Sequence, residues 1–190
     1  KPKISKLKLD LRGLFYMPRI VKASKLGDAA ILKVLIKILS ENKIKVIKLN
    51  TFNPELTLKK GNYTKIRPTF FEKREIDKGV KILKKINSYN HTQAIIIRDN
   101  KIISRETRKG TKEMIKSVPK SKLKNGILIK LPKVQQDLRV DLPTIGIDTF
   151  KDCNKAGIKG IVVKANQNIV LNKEVSIKYA NQNKLFFVSI

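Results

Sequence analysis

The segment QDLRVDLPTIG, Gln136–Gly146, alternates charged and apolar residues. A period of two predicts an extended strand in which Asp137, Arg139 and Asp141 point to one face. The apolar members would line the opposite, buried face: Leu138, Val140 and Leu142. The ring of Pro143 holds the preceding residue extended and cannot donate to a sheet ladder, so the strand should end there. The segment therefore predicts a row of charged groups that leads to a strand end.

A helix signal follows this strand directly. Gly146 supplies a turn, and Asp148 is the expected N-cap of a helix over 148–156. Free N–H groups at a helix start favour phosphate, so the charged row and the helix N-terminus together predict a phosphate site. The same pattern also fits an edge strand whose polar face meets water, and the residues alone leave both interpretations open.

The distance between the two aspartates limits how this row of charged residues could bind a metal ion. In a straight strand Asp137 and Asp141 would lie about 13 Å apart, at roughly 3.3 Å per residue. Mg²⁺ takes its oxygen ligands at about 2.1 Å, so these two carboxylates could not both bind one ion directly. Asp141, which is nearer to the turn and the helix, is the better candidate for chemistry. Arg139 suits a phosphate because its planar guanidinium donates to two oxygens at once.

The charge balance of the chain is strongly basic. It holds 43 Lys and Arg residues against 15 Asp and Glu residues, a formal net charge of +28. Such a balance raises nucleic-acid binding as a hypothesis. However, 35 of the 43 are Lys, they are spread along the whole chain, and aromatic residues make up only 6%. Neither a basic block nor an aromatic stacking platform stands out, which favours a solvated lysine surface.

The residue inventory argues against several kinds of site. One cysteine, Cys153, excludes an internal disulfide, and one histidine, His91, argues against a histidine-based triad or a two-histidine metal site. His91 is expected in a solvent-facing loop. No apolar run is long enough to span a membrane. Catalysis must therefore rest on carboxylates, Lys, Arg, hydroxyls and backbone groups. Because the first residue is Lys1, we expect the chain to be incomplete at its start.

Periodicity predicts alternating helices and strands, which argues for an α/β fold. The expected helices cover 11–24, 28–39 with Asp28 as cap, 71–87, 110–118, 148–156 and 173–183 with Asn172 as cap. The expected strands cover 45–49, a hairpin of 93–98 and 101–106 around Asp99-Asn100, then 127–131, 160–164, 168–171 and 185–190. We predict a mixed α/β C-terminal domain over 67–190, a polar linker over 58–66, and a mostly helical remnant of an N-terminal domain over 1–57.

Several motifs together resemble one known family. Besides Gln136–Gly146 they are KLPK at 130–133, DT at 148–149, AG at 156–157, GIV at 160–162 and the stretch 180–188, with DLRGL at 10–14, LGD at 26–28, QA at 93–94 and GT at 110–111 followed by Met114. The pattern is similar to that of the UDP-2,3-diacylglucosamine pyrophosphatases of bacterial lipid A synthesis, of the type unrelated to calcineurin-like phosphoesterases. The resemblance spans essentially the whole chain. The family's glycine-rich strand-turn-helix would precede Lys1, so we expect an N-terminally truncated member.

The resemblance implies hydrolysis of a UDP-linked lipid to UMP and 2,3-diacylglucosamine 1-phosphate, with Mg²⁺ or another divalent cation. Asp141 falls on the family's catalytic aspartate, as a metal ligand or as the group that positions water. The expected substrate-binding residues are Gln93, Thr111, Lys130, Lys133, Gln136, Asp137, Arg139, Thr144 and Gly146. The lipid would lie between the two domains, and the protein would be peripheral to the cytoplasmic face of the inner membrane. No nucleic acid is expected as a partner.

Three positions depart from the family pattern. Acidic residues that flank the Gly-Thr pair in the family are Lys109 and Lys112 here, and the second acid of its Gly-Asp-Asp motif is Ala29. If any of these acids binds metal, their loss weakens the metal site. Two alternatives to a pyrophosphatase therefore stay open, a non-catalytic relative and a basic nucleic-acid-binding module.

Overall fold

The computed structural model describes residues 8–89, 92–119, 121, 123–134 and 136–190. His91, expected in a solvent-facing loop, lies outside these residues. The helices are α1 (Leu11–Ser24), α2 (Asp28–Glu41), α3 (Leu49–Phe52), α4 (Phe70–Tyr89), α5 (Gly110–Lys116), α6 (Ile147–Lys155) and α7 (Lys173–Gln182), with a 3-10 turn at Pro54–Leu56. The strands are β1 (Gly61–Asn62), β2 (Ala94–Arg98), β3 (Lys101–Arg105), β4 (Gly126–Lys130), β5 (Thr144–Ile145), β6 (Ile158–Val163), β7 (Ile169–Val170) and β8 (Phe186–Ser189). The predicted mixed α/β class is confirmed.

Six of these strands form one mixed sheet in the order β1-β8-β6-β4-β2-β3. The three central strands β8, β6 and β4 are parallel, whereas β1, β2 and β3 run antiparallel to their neighbours. The carboxyl ends of the parallel strands therefore meet at one side of the sheet, where β2 begins and β3 ends. We call this side the carboxyl edge, and its strand ends are Lys130, Val163 and Ser189. A separate parallel pair, β5 and β7, lies beyond it in the chain loops that leave β4 and β6.

Helices cover both faces of the large sheet, which makes a three-layer sandwich. On one face α4 packs its apolar stripe, including Ile76 and Leu83, against Ile95, Ile127 and Phe186. The other face packs against α5, α6 and α7. The helices contribute the buried residues Met114, Phe150, Cys153 and Ala180, and the strands contribute Ile96, Leu128, Ile161 and Phe187. Strands buried on both faces read as continuous apolar runs, which is why the sequence shows AIII, GILI and GIVV there. Each fully buried isoleucine contributes about 2 kcal/mol.

Local signals set the boundaries of α4 and of the hairpin. Thr69 and Glu72 form a capping box: Oε2 of Glu72 accepts the Thr69 N–H at 2.7 Å, and Oγ1 of Thr69 accepts the Glu72 N–H at 3.3 Å. Asp99 and Asn100 both have positive φ, 50° and 58°, as the two-residue turn between β2 and β3 requires. The predicted hairpin is confirmed.

Three local predictions are wrong. Residues 45–49 do not form a strand, because the exposed Ile44 and Ile47 (54% and 50% exposed) have no neighbouring strand to pair with, and α3 begins instead. Asp28 is the first residue of α2 and Gly27 is its N-cap. The third, Asp148 as the cap of α6, fails because that helix begins one residue earlier. The predicted cap of α7 is confirmed: Asn172 is its N-cap, in a left-handed conformation and without a side-chain capping bond.

The part before the sheet is helical, as predicted. The two helices α1 and α2 are joined by a bidentate ion pair, in which the Arg19 guanidinium donates to both oxygens of Glu41 at 2.6 and 2.8 Å. In the segment predicted as a linker, Leu58 is a core residue with 3% exposure, and β1 pairs with β8. The division into domains over 1–57, 58–66 and 67–190 stays a prediction. In the part of the chain that the structure describes, no helix is both long and apolar enough to span a bilayer.

The closest approach in the sheet predicts a stability effect at Gly160. A Cβ on Gly160 would lie 1.9 Å from the Phe186 ring of the neighbouring strand. We expect Gly160→Ala to lower the free energy of unfolding by about 1–3 kcal/mol, because the ring has no room to move in a packed core. The measurement is urea unfolding. Gly61→Ala is the matched control, since its added Cβ would meet nothing closer than 3.9 Å. Equal midpoints for both variants would contradict the packing argument.

Candidate functional site

The candidate site lies at the carboxyl edge of the large sheet. β4 ends there at Lys130, and the chain then forms the loop 131–143 before β5. Because Ala94 of β2 lies opposite Lys130, Gln93 enters at the same edge. β3 ends nearby, and α5 begins five residues later with Thr111 in its first turn. Ligands of open α/β sheets commonly bind outside the carboxyl ends of the strands.

The expected strand over 137–142 is wrong. The backbone N–H groups of Asp141 and Val140 both donate to the carbonyl of Asp137, at 2.9 and 3.1 Å. This is a helical turn, in which residues four apart lie about 6 Å from each other rather than the roughly 13 Å of a strand. Local hydrogen bonding explains the difference: the Asp137 side chain accepts the N–H of Arg139 at 3.0 Å, a bond that favours turns. The charged residues therefore do not form a row.

Asp137 and Arg139 form an ion pair within this turn. Nε of Arg139 donates to Oδ1 at 3.0 Å, and Nη2 donates to Oδ2 at 2.7 Å. The side-chain bonds to Arg139 and its backbone N–H lower the pKa of Asp137 to about 2, and Lys33 of α2 acts in the same direction. Each partner is thus satisfied by the other. Arg139 keeps Nη1 for a further acceptor, since that group donates to none of the described residues.

Asp141, by contrast, is half-buried and its carboxylate pairs with nothing in the described part of the chain. The described residues also contain no cluster of three or more His, Cys, Asp or Glu side chains that could hold a metal ion. A metal at this site would therefore take Asp141 as a single carboxylate ligand and leave its other positions to water or phosphate oxygens. Mg²⁺ is commonly bound in this way, so the residues fit such an ion.

Lys130 brings a buried positive charge to the edge. It is 6% exposed, and its Nζ donates to Oγ1 of Thr111 at 2.8 Å and to the carbonyl of Thr144 at 3.1 Å. The Thr111 hydroxyl in turn donates to Oε1 of Glu106. Burial lowers the pKa of Lys130, Glu106 raises it and Lys133 lowers it, and burial is the largest effect. A buried charge is little screened by solvent, so its attraction for a phosphate is strong.

Other predicted residues organise the loop and the helix that follows it. Oε1 of Gln136 accepts the N–H of Lys133 at 2.9 Å, and the Thr144 hydroxyl donates to the carbonyl two residues before it at 3.2 Å. Gly146 is the N-cap of α6, so the expected helix N-terminus is present, with Asp148 in its first turn. The unpaired N–H groups of this first turn favour an anion.

Gln93 joins the site through its backbone. Its N–H donates to Oε2 of Glu106 at 3.1 Å, and its carbonyl accepts the N–H of Leu131 at 2.8 Å. The side-chain Oε1 is buried and has no hydrogen-bond partner among the residues described. An unsatisfied buried acceptor costs about 1–3 kcal/mol. It is therefore an atom that a donor group of a ligand would satisfy.

Sequence reasoning missed three polar residues of the site: Glu106, Asn168 and Asn87. Asn168 is 1% exposed and joins the ends of β4 and β6, since it donates to the Lys130 carbonyl at 3.2 Å and accepts the Lys164 N–H at 2.9 Å. Asn87 of α4 donates to the Pro132 carbonyl at 2.9 Å. Asn168 directly precedes the apolar pair Ile169-Val170 and Asn87 directly follows Ile86, and a polar residue in such a place is the signal that could have identified these two. Glu106 lies in the polar run 104–109, which carries no such signal.

Comparisons with known proteins identify the family of this chain. The family model described as LpxI C-terminal domain matches residues 59–188, which contain nearly all of the sheet and the whole candidate site. The chain belongs to the LpxI family. It is also similar to UDP-2,3-diacylglucosamine pyrophosphatase LpxI of Caulobacter vibrioides, with 28% identity over 198 residues that cover 100% of this chain and 71% of that protein. The family resemblance predicted from the motifs is confirmed.

The ion pair in the turn gives a prediction for titration. Arg139→Ala should raise the pKa of the Asp137 carboxyl from about 2 toward its ordinary value, because the guanidinium is the main cause of the lowering. A carboxyl whose folded pKa is lowered stabilises the fold above its unfolded pKa of about 3.9, and this contribution is lost as the pH falls through about 2. ¹³C NMR of the aspartate carboxyls measures the midpoint. Arg19→Ala, which breaks the pair with Glu41 instead, is the control and should leave Asp137 unchanged. An unaltered midpoint in Arg139→Ala would disprove the pairing.

Proposed function

We propose that this protein hydrolyses the pyrophosphate bond of UDP-2,3-diacylglucosamine, releasing UMP and 2,3-diacylglucosamine 1-phosphate in lipid A biosynthesis. Membership of the LpxI family and the activity named for the Caulobacter relative support the proposal. The observation that carries it is the carboxylate of Asp141, which has no partner among the described residues and lies three residues before Thr144, whose carbonyl accepts a hydrogen bond from the buried ammonium of Lys130.

The reaction needs the negative charge of the anhydride to be neutralised while a water molecule attacks one phosphorus atom. Three groups are suited to bind phosphate oxygens: the buried Lys130, Nη1 of Arg139, which donates to none of the described residues, and the N-terminus of α6. Asp137 and Glu106 both accept hydrogen bonds, whereas Asp141 accepts none from the residues that the structure describes. We assign Asp141 to the reacting groups, either to position the attacking water or to bind a metal ion.

A divalent cation such as Mg²⁺ is part of the proposal. When bound, it would neutralise charge on the phosphate oxygens, and Asp141 is the residue that would hold it. The lysines that replace family acids remove possible ligands of this cation. Lys109 and Lys112 are exposed at the start of α5, beside Thr111, and Ala29 is exposed on α2. Their side chains cannot bind a metal, but the two lysines add positive charge where phosphate would arrive.

The first test is the reacting carboxylate. Asp141→Asn and Asp141→Ala should reduce turnover of the UDP-linked lipid by at least about 10²-fold, the usual loss when a positioned acid–base group is removed. The thermal midpoint should stay close to that of the unsubstituted protein, because the side chain is half-buried and bonds to none of the described residues. Asp137→Ala should be milder, since that carboxylate is occupied by Arg139.

Two outcomes of this experiment would count against the assignment. Near-normal turnover by Asp141→Ala would remove Asp141 from the reacting groups. A folded, unsubstituted protein that hydrolyses nothing at saturating Mg²⁺ would favour the non-catalytic relative.

We further propose peripheral contact with the cytoplasmic face of the inner membrane, where a diacylated substrate would lie. Anionic lipid attracts each nearby lysine by about 1 kcal/mol. Exposed apolar side chains on α1, such as Leu11 (86%) and Phe15 (73%), would add contact with the acyl region. We expect sedimentation with anionic vesicles at low salt, release at high salt and little binding to neutral vesicles. Equal binding to both vesicle types would exclude the electrostatic part, and tighter binding to RNA at physiological salt would favour the nucleic-acid alternative.

A further inference from the structure

A buried carboxylate stands behind the Lys130 ammonium. Glu106 follows β3, and its backbone N–H continues the sheet by donating to the Ala94 carbonyl at 2.9 Å. Its side chain is 7% exposed. Oε1 accepts the Thr111 hydroxyl, and Oε2 accepts the backbone N–H of Gln93 at 3.1 Å. A carboxylate is tolerated at this depth because both oxygens accept hydrogen bonds and a cation lies close by.

The charge on Lys130 sets the direction of the hydrogen bonds. An ammonium has three N–H donors and no acceptor, so Lys130 must donate to Oγ1 of Thr111 at 2.8 Å. Thr111 must then donate its single hydroxyl proton to Glu106, whose Oε1 accepts it. A second N–H of Lys130 goes to the Thr144 carbonyl at 3.1 Å, and none of the described residues accepts the third. The network thus leaves one N–H of a buried ammonium available for a ligand.

We propose that Glu106 is a positioning residue of the site: acting through Thr111, it holds Lys130 as an ammonium and keeps its remaining N–H for a phosphate group of the substrate. The role in binding substrate rests on the proposed function, because that function supplies the phosphate. The link between Glu106 and Lys130 rests on the hydrogen bonds alone.

The charged groups that face Lys130 oppose each other. Burial and the neighbouring Lys133 both favour the neutral amine, whereas Glu106 favours the ammonium. Without the carboxylate, Lys130 would lose its proton at a lower pH. Its lone pair could then accept the Thr111 hydroxyl proton, which would reverse the direction of that bond and leave the N–H that faces the ligand without its positive charge.

Glu106→Gln is the direct test, because it keeps the shape of the side chain and removes the charge. The first readout is the pH dependence of trace acetylation of Lys130 by acetic anhydride, followed by mass spectrometry of the peptide. We expect its midpoint to fall by about one pH unit, the usual effect of losing an opposite charge at this range. The second readout is the pH profile of kcat/KM for the UDP-linked lipid. Its decline at alkaline pH should also shift to lower pH. Glu113→Gln is the matched control, because Glu113 is exposed on α5 and pairs with Lys116 at 2.8 Å.

A second variant keeps the test decisive if Glu106→Gln does not fold. Thr111→Val keeps the volume and removes the hydroxyl that joins Glu106 to Lys130, so it should also lower the Lys130 midpoint and raise KM more than it lowers kcat. An unchanged Lys130 midpoint in a folded Glu106→Gln protein, or in Thr111→Val where the first variant does not fold, overturns the proposal. Absence of hydrolysis in the unsubstituted protein would instead defeat the proposed function. The acetylation midpoint would still decide the link between Glu106 and Lys130, because it needs no substrate.

Discussion

A sheet that is buried on both faces can meet a ligand only at its strand ends. Residues 95–97, 127–129 and 161–163 are fully buried, so the polar groups that terminate these strands have little access to water. Side chains distant in sequence satisfy them: Asn168 joins the ends of β4 and β6, and Asn87 holds the loop after β4. An unsatisfied buried polar group costs about 1–3 kcal/mol, as much as the burial of one isoleucine gains. The carboxyl edge is therefore ordered by the need to complete hydrogen bonds, and this order is what makes it a site.

The need to complete hydrogen bonds also places three carboxylates in three different environments. Glu106 is buried and is stabilised by two donors, with the charge of Lys130 behind one of them. Asp137 is half-buried, but its partner Arg139 is exposed, so solvent screens the pair and its main effect is to fix the shape of a turn. Asp141 follows on that turn with no partner among the described residues. The turn thus presents one free carboxylate on the loop that also binds the buried ammonium, a combination that a strand over the same residues would not have produced.

Sequence patterns predicted the fold well where the pattern is long and depends on burial. The helices α1 and α4 and the hairpin of β2 and β3 have strong periodicity or an obligatory turn, and their predictions are confirmed. The strands over 45–49 and 137–142 are wrong because short alternating runs do not show whether a neighbouring strand exists, or whether an aspartate bonds to its own backbone instead. For the candidate site, the motifs predicted Gln93, Thr111 and Lys130, which lie together at the carboxyl edge, and the roles of these residues stay predictions. The motifs could not identify Glu106, because its partner Gln93 lies 13 residues away and Lys130, to which Thr111 connects it, lies 24 residues away.

At the carboxyl edge, the positive charge of the chain comes from two kinds of lysine, exposed and buried. Most of its lysines are spread over the surface, where salt screens them beyond about 10 Å. Lys109 and Lys112 stand where the family has acids, so each exchange raises the local charge by two, and together they add more positive charge than one divalent cation would carry. Exposed charge attracts an anion from a distance but holds it weakly at contact. Lys130 is buried and its ammonium is oriented by two hydrogen bonds, so it would bind an anion in the interior, where solvent screens the attraction least. On the proposed function, the surface lysines would gather the substrate and Lys130 would bind its phosphate, while Asp141 stays free for the chemistry.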